Sequence, residues 1–211
     1  MFILVFCANI KKMQPYRSEL SPLFIELFTK KVGLGEDEFE LLLSHFKREY
    51  IPRKYFYLKA GQITTHSAYL NKGSTRTYTI DDRGGEHNLF FSFEDWWLGD
   101  LESYHTQQPG KLYIQAIEDC ELLCIPKTDL DKLESSIPKI KEWHSAKQTK
   151  SHFATLSRLA EVKTLTPEER YLHLIQKHPH IFQRIPLQYI ASFLDIEAPS
   201  LSRMRKRLSQ K

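Results

Sequence analysis

The segment "LSRMRKRL", Leu201–Leu208, places four cationic side chains within five consecutive positions. A guanidinium can donate two hydrogen bonds to guanine O6 and N7, and any of these cations can meet a phosphate. Such chemistry needs an element that enters a groove, and the residues just before it describe one. In "IASFLDIEAPSLSRMRKRL", Ile190–Leu208, apolar Ile190, Leu194, Ile196, Leu201 and Met204 fall at the buried spacings of a helix-turn-helix. Ala191 supplies the small residue at the helix crossing. Asp195 stands at the turn, where a left-handed conformation is needed and Asp tolerates it better than most residues do. The second helix is expected from Ala198 to Leu208. Leu201, Met204 and Leu208 then point inward, while Ala198 and Pro199 form the first turn, where a missing N–H costs no bond. Arg203 is the candidate for reading a base. Ser200, Ser202, Lys206 and Arg207 suit phosphates, which position a protein without carrying sequence information.

Charge supports a polyanionic partner for this end. Of the net +4, the residues from Lys163 to Lys211 carry +5, leaving −1 for the rest. Charge alone would equally fit a solvated basic helix; the filled helix-turn-helix pattern decides for double-stranded DNA.

Upstream elements must position that pair. Ser21 with Pro22, and the acidic start of "GEDEFELLLSHFK", predict helices over Ser21–Phe46. From Arg48 to Pro126 the runs "YFYLKAG", "SAYLNKG", "RTYTI", "HNLFFSF", "KLYIQAI" and "CELLCIP" alternate with glycines, as in an antiparallel jelly-roll or barrel. Pro138 can open a long helix, in which Ala146, Thr149, Phe153, Leu156 and Ala160 form a narrow heptad-type seam. That seam fits packing on the β domain as well as it fits a parallel dimer. Thr166–Pro167–Glu168–Glu169 predicts the next helix start.

Other chemistries find little support. Cys120 and Cys124 on one strand would sit roughly 13 Å apart, too far for a disulfide or a shared zinc. Cys7 alone cannot hold an iron–sulfur cluster. His173, His178 and His180 do not share a helix face, so a solvated loop is expected and no metal. Trp96 and Trp97 read as packing residues. No Ser/His/Asp set, phosphate-binding glycine loop or HExxH occurs, so neither enzyme nor cofactor is expected. Met1–Ile10 is too short for a membrane span of about 20 residues and lacks signal-peptide marks; it reads as an extension, or as the product of a start upstream of Met13. The expectation is a soluble, cytoplasmic chain with reduced thiols.

"LKAGQ" (Leu58–Gln62), "LNKGSTR" (Leu70–Arg76), "GGEHNLFF" (Gly84–Phe91) and "WWLGDLES" (Trp96–Ser103) precede "TPEERYLHLIQKHP", "IPLQYIASFLDI" and "LSRMRKRL". With these motifs nearly the whole chain resembles the Crp/Fnr family of bacterial regulators, most closely in wording its Bacteroidetes branch. The resemblance implies an α+β chain: an extension over 1–20, a cyclic-nucleotide-binding-like antiparallel β-roll over 21–136 with flanking helices, a dimer helix over 137–162, and a helix-turn-helix domain over 163–211. It also implies that the heptad seam joins a homodimer. Members that bind a cyclic nucleotide have a Gly-Glu-Leu start, matched here by Gly99–Asp100–Leu101, and an Arg-Ser pair that grips the phosphate. Gly110 and Lys111 occupy the Arg-Ser positions, and Glu102 adds a negative charge. The implied function is a DNA-binding transcription regulator whose effector, if it has one, is an unidentified small molecule rather than cyclic AMP. The alternative is a small-molecule or cyclic-nucleotide signalling module that does not bind DNA; a third reading is a regulator with a vestigial pocket, always active.

Overall fold

Alternation along two strands explains most of the first half of the molecule. In strand β3 (His66–Lys72), Ala68 and Leu70 face one side while Tyr69 faces the other. Ala68 and Leu70 join Leu58, Leu98, Ile114, Cys120, Leu122 and Cys124 in the core of a β-roll. Tyr69 turns instead to an aromatic cluster, 4.8 Å from the Phe24 ring and 5.4 Å from Trp97. Both faces are therefore dry, which is why β8 (Cys120–Pro126) is an almost continuous apolar run. In the computed structural model, which describes residues 17–208, β8 is a central strand of an antiparallel sheet in the order β1-β8-β3-β6, with β1 at Lys47–Ile51 and β6 at Trp97–Leu98. The β2 strand (Phe56–Leu58) pairs with β7 (Tyr113–Ala116). Cys120 and Cys124 are both buried and free on β8, and burial pushes the Cys120 thiol up to about 12. It is inert at neutral pH.

Helices line the aromatic side. Ser21 accepts a hydrogen bond from the Leu23 N–H and opens α1 (Pro22–Glu26), as its position before a proline predicts. A π-helical turn at Leu27–Lys31, not expected from the sequence, leads to α2 (Glu36–Ser44). Phe24 packs with Phe28, Phe39 and Phe46 from this region, and Phe28 and Phe46 in turn meet Trp97. Trp97 is thus the packing residue expected, whereas Trp96 is 42% exposed. The short α3 (Leu101–Thr106) and α4 (Lys127–Ser136) complete this unit, which among the described residues takes in 17–75 and 92–141. Gly73 is obligatory in it. Its φ is +101°, and a Cβ there would lie 2.6 Å from the Asp119 carbonyl oxygen.

The second unit joins residues 76–91 to residues 142–208. Its β part is the hairpin of β4 (Thr75–Ile80) and β5 (Glu86–Ser92). Its helices are most of α5 (Pro138–Thr164), then α6 (Pro167–Lys177), α7 (Ile181–Arg184), α8 (Leu187–Phe193) and α9 (Ala198–Leu208). Pro138 opens α5 and Thr166 caps α6 in a reciprocal capping box with Glu169, both as the sequence predicts. No helix among the described residues is long and apolar enough to cross a membrane. Cys7 and the segment Met1–Ile10 lie outside the described residues.

Candidate nucleic-acid interface and effector cassette

The turn between α8 and α9 can be accounted for bond by bond. A helix leaves its last four carbonyls without intrahelical partners. At the end of α8 these are the carbonyls of Ala191, Ser192, Phe193 and Leu194. Asp195 adopts φ +57°, and this left-handed step lets the Ile196 N–H donate to the Ala191 carbonyl (3.0 Å) and the Asp195 N–H to the Ser192 carbonyl (3.1 Å). Those two bonds form a Schellman motif, with Asp in the position glycine usually holds. The other two carbonyls receive arginines. Arg158 of α5 donates to the Phe193 carbonyl and lays its guanidinium 3.9 Å from the Phe193 ring centre. Arg170 of α6 donates to the Leu194 carbonyl at 2.7 Å.

Arg170 does more than cap α8. Its other terminal nitrogen donates to the carbonyls of Leu165 (3.0 Å) and Val162 (3.2 Å), at the end of α5. The side chain is buried and its Nε has no partner. Two helix C-termini, each carrying partial negative charge, therefore share one cation. Burial, reinforced by the neighbouring Arg170 charge, lowers the Arg158 pKa against the pull of Glu161 and Asp195. Sequence reasoning missed both residues, because nothing local separates a buried arginine from a solvated one.

Ile190, Leu194 and Leu201 are fully buried and Ala191 nearly so, as the pattern requires. Ile196 and Met204 are only half-buried, since each lies toward the flank of the packed face. On α9, Pro199, Ser202, Arg203, Lys206 and Arg207 are exposed, while Ala198 and Ser200 are half-buried. Arg203 donates to the Ser200 hydroxyl at 3.0 Å. Arg207 forms an ion pair with Glu168 of α6. Ser202 and Lys206 border a cleft of about 600 Å³ between α6 and α9, together with Tyr171, Leu172, Ile175, Arg205 and Leu208. Arg205 is held against the Phe182 ring at 4.0 Å. The structure thus spreads the candidate set around α9, with Arg203 among the residues of its exposed face.

Along α5, Ala146, Thr149, Phe153, Leu156 and Ala160 are all exposed, and so is Leu159, which the heptad pattern did not include. Phe153 is 61% and Leu156 48% exposed. Among the three histidines, His173 lies on α6 and His178 ends it, half-buried, where burial lowers its pKa; no group of metal ligands occurs among the described residues.

The cassette at Gly99–Lys111 is closed by its own side chains. Asp100 is buried and caps α3, its carboxylate accepting from the Ser103 N–H at 3.1 Å. Ser103 in turn donates to the Gln108 carbonyl (2.6 Å) and accepts from the Thr64 N–H (3.0 Å). Gly110 exchanges backbone bonds with Gly61 and Gln62. A Cβ on Gly110 would stand 2.5 Å from the Asp100 carboxylate, so the glycine makes the room that carboxylate occupies. Leu101, Glu102 and Lys111 are exposed, and Gly99 stands at φ +157°. Between α3 and residues 108–111 there remains about 40 Å³, room for one water.

Residues 48–136 match the cyclic nucleotide-binding domain family. No curated protein matches the sequence. Among solved structures, the c-di-GMP-responsive global regulator CLP of Xanthomonas campestris is similar at 19% identity and TM-score 0.67, over 83% of this chain and 92% of that one. FixK2 of Bradyrhizobium japonicum is similar at 12% identity and TM-score 0.70, over 78% and 85%. A protein of Eubacterium rectale assigned to the Crp/Fnr family of transcriptional regulators is similar at 15% identity and TM-score 0.66, over 90% and 87%. The chain therefore has the fold of Crp/Fnr regulators.

Proposed function

We propose that the protein is a homodimeric transcription regulator of the Crp/Fnr type, of the Bacteroidetes branch by the wording of its motifs. It acts in the cytoplasm on double-stranded DNA and is not an enzyme. The observation that carries this reading is the α8–α9 pair: a complete helix-turn-helix whose second helix keeps Arg203, Lys206 and Arg207 at its exposed face. Arg203 reads a base edge. Ser200, Ser202, Lys206 and Arg207 hold phosphates, and the N-terminal residues Ala198 and Pro199 approach the groove. The exposed Phe153, Leu156 and Leu159 of α5 meet their twins across a two-fold axis, which sets two recognition helices about 34 Å apart.

The cassette supports an effector other than cyclic AMP or cyclic GMP. The Asp100 carboxylate already takes the Ser103 N–H at the start of α3, and neither Gly110 nor Lys111 brings a guanidinium to a phosphate. Gly99–Asp100–Leu101, with Glu102, then serves as framework for the roll. Selection from random duplex DNA tests the reading. The expected result is an enriched two-fold symmetric site whose affinity falls steeply with salt. Failure to enrich any duplex, or affinity indifferent to salt, would leave the signalling module without DNA binding as the better account.

A further inference from the structure

One side of α8 packs in the helix-turn-helix core through Ile190, Ala191 and Leu194; another side, Tyr189, Ser192 and Phe193, packs on the β4–β5 hairpin. Glu86 and Asn88 lie two apart on β5 and so turn backbone groups to the same edge. One side chain satisfies both. The Ser192 hydroxyl donates to the Glu86 carbonyl (2.9 Å) and accepts from the Asn88 N–H (3.0 Å). Beside it, the buried Arg76 guanidinium lies between two rings, 4.0 Å from the centre of Tyr78 in its own strand and 3.9 Å from that of Tyr189 in α8. Arg76 is paired with Glu86 across the hairpin. Phe193 closes the contact, its ring centre 5.3 Å from that of Phe91, while its other neighbour is the Arg158 guanidinium.

This contact is specific in direction as well as in area. A hydroxyl bridging two edge groups fixes where α8 lies along β5, and a cation between two rings fixes its roll. The recognition helix is untouched by it: Arg203, Lys206 and Arg207 stay exposed while α8 is held. We propose that the β4–β5 hairpin is the platform that aims the helix-turn-helix, with Ser192 and Arg76 as positioning residues that set the direction of α9 without touching DNA. The inference rests on the DNA-binding reading above and adds the determinant of half-site spacing to it.

The test uses the full-length dimer and two kinds of duplex. One carries a single half-site; the other carries two half-sites whose separation varies in single base-pair steps around the selected optimum. Wild type should show a sharp optimum. Ser192→Ala should keep single half-site affinity within about twofold, yet lose about tenfold at the optimum and flatten the spacing profile, as expected when one bridging contact no longer holds the two reading heads in register. Ser192→Thr, which keeps the hydroxyl, should restore the sharp profile. Arg76→Gln gives an independent second variant with the same expected flattening. A sharp wild-type optimum that Ser192→Ala leaves unchanged overturns the inference alone. Equal losses on the single half-site overturn it too, because the hairpin would then support folding rather than aim. If wild type prefers no duplex, the underlying DNA-binding reading fails first and this inference with it.

Discussion

The two ends of the polar machinery treat their own hydrogen-bonding groups in opposite ways. In the cassette around α3 two backbone donors are answered from within: Asp100 takes the Ser103 N–H, and Ser103 takes the Thr64 N–H. On α9 the outward cations are left with weak or exposed partners, a serine hydroxyl for Arg203 and a surface carboxylate for Arg207. A buried self-contained network resists an incoming ligand, because the ligand must first displace bonds already made in a low-dielectric setting. Exposed pairs are exchanged for phosphates at little cost. Under the reading proposed above, the chain closes one candidate anion site and keeps another open, and the difference lies in burial more than in residue type.

The comparison can be broken most severely at the open end's foundation. Arg170→Ala removes three hydrogen bonds from a buried cation and strands the carbonyls of Val162, Leu165 and Leu194. It should cost about 3 kcal/mol or more, read as an earlier urea transition of the helical unit. Next comes Phe153→Glu, which puts a charge on the exposed seam of α5. Sedimentation should show a monomer where wild type is a dimer, and affinity for the two-half-site duplex should fall about a hundredfold. Arg203→Ala should cost about 1–3 kcal/mol on the selected site and relax preference at one base pair, while Lys206→Ala weakens all duplexes alike.

At the closed end, Gly110→Ala forces a methyl against the Asp100 carboxylate and should destabilise the roll by about 1–2 kcal/mol, seen as a lower melting temperature. Calorimetric titration of the wild type with cyclic AMP or cyclic GMP should give no heat, and DNA affinity should not change. A micromolar dissociation constant, lost in Asp100→Ala, would show instead that the cassette opens. The smallest effect belongs to Glu168→Gln. Releasing Arg207 from an exposed pair should raise duplex affinity only about two- to threefold, with a slightly steeper dependence on salt.

What was legible in the sequence were features whose cause is local. Ser21, Pro138 and Thr166 mark helix starts through caps and prolines, and Asp195 turns left-handed because its neighbours fix a helix end there. Long apolar strands such as β3 and β8 declare themselves by composition. Strand β1 did not, because "KREYI" is a charged strand with its buried partner supplied entirely by β8. The outward place of Arg203 followed from helical period alone. That Arg170 is buried could not be read, since its three carbonyl partners come from two helix ends 29 to 32 residues apart in the chain. Nor could the grip of β5 on Ser192, which joins residues 106 apart through one hydroxyl. The occupation of the cassette by Asp100 needed the backbone of Gly110 to be placed first. Matching residues to a family pattern showed what was missing from that site, but not what had filled it.

Because the partner of the β5 edge lies 106 residues further along, synthesis delivers the two halves of that contact well apart in time. At about 5–20 residues per second, Glu86 and Asn88 are made roughly 5–20 s before Ser192. For that interval a strand edge with unanswered backbone groups is available to any other nascent chain. Within the second unit, α8 therefore covers a strand edge that the β4–β5 hairpin cannot close by itself. Truncation before α8 would be expected to yield aggregation rather than a tidy effector-binding fragment, and pulse-labelled solubility of chains ended at residues 186 and 208 would tell the two apart.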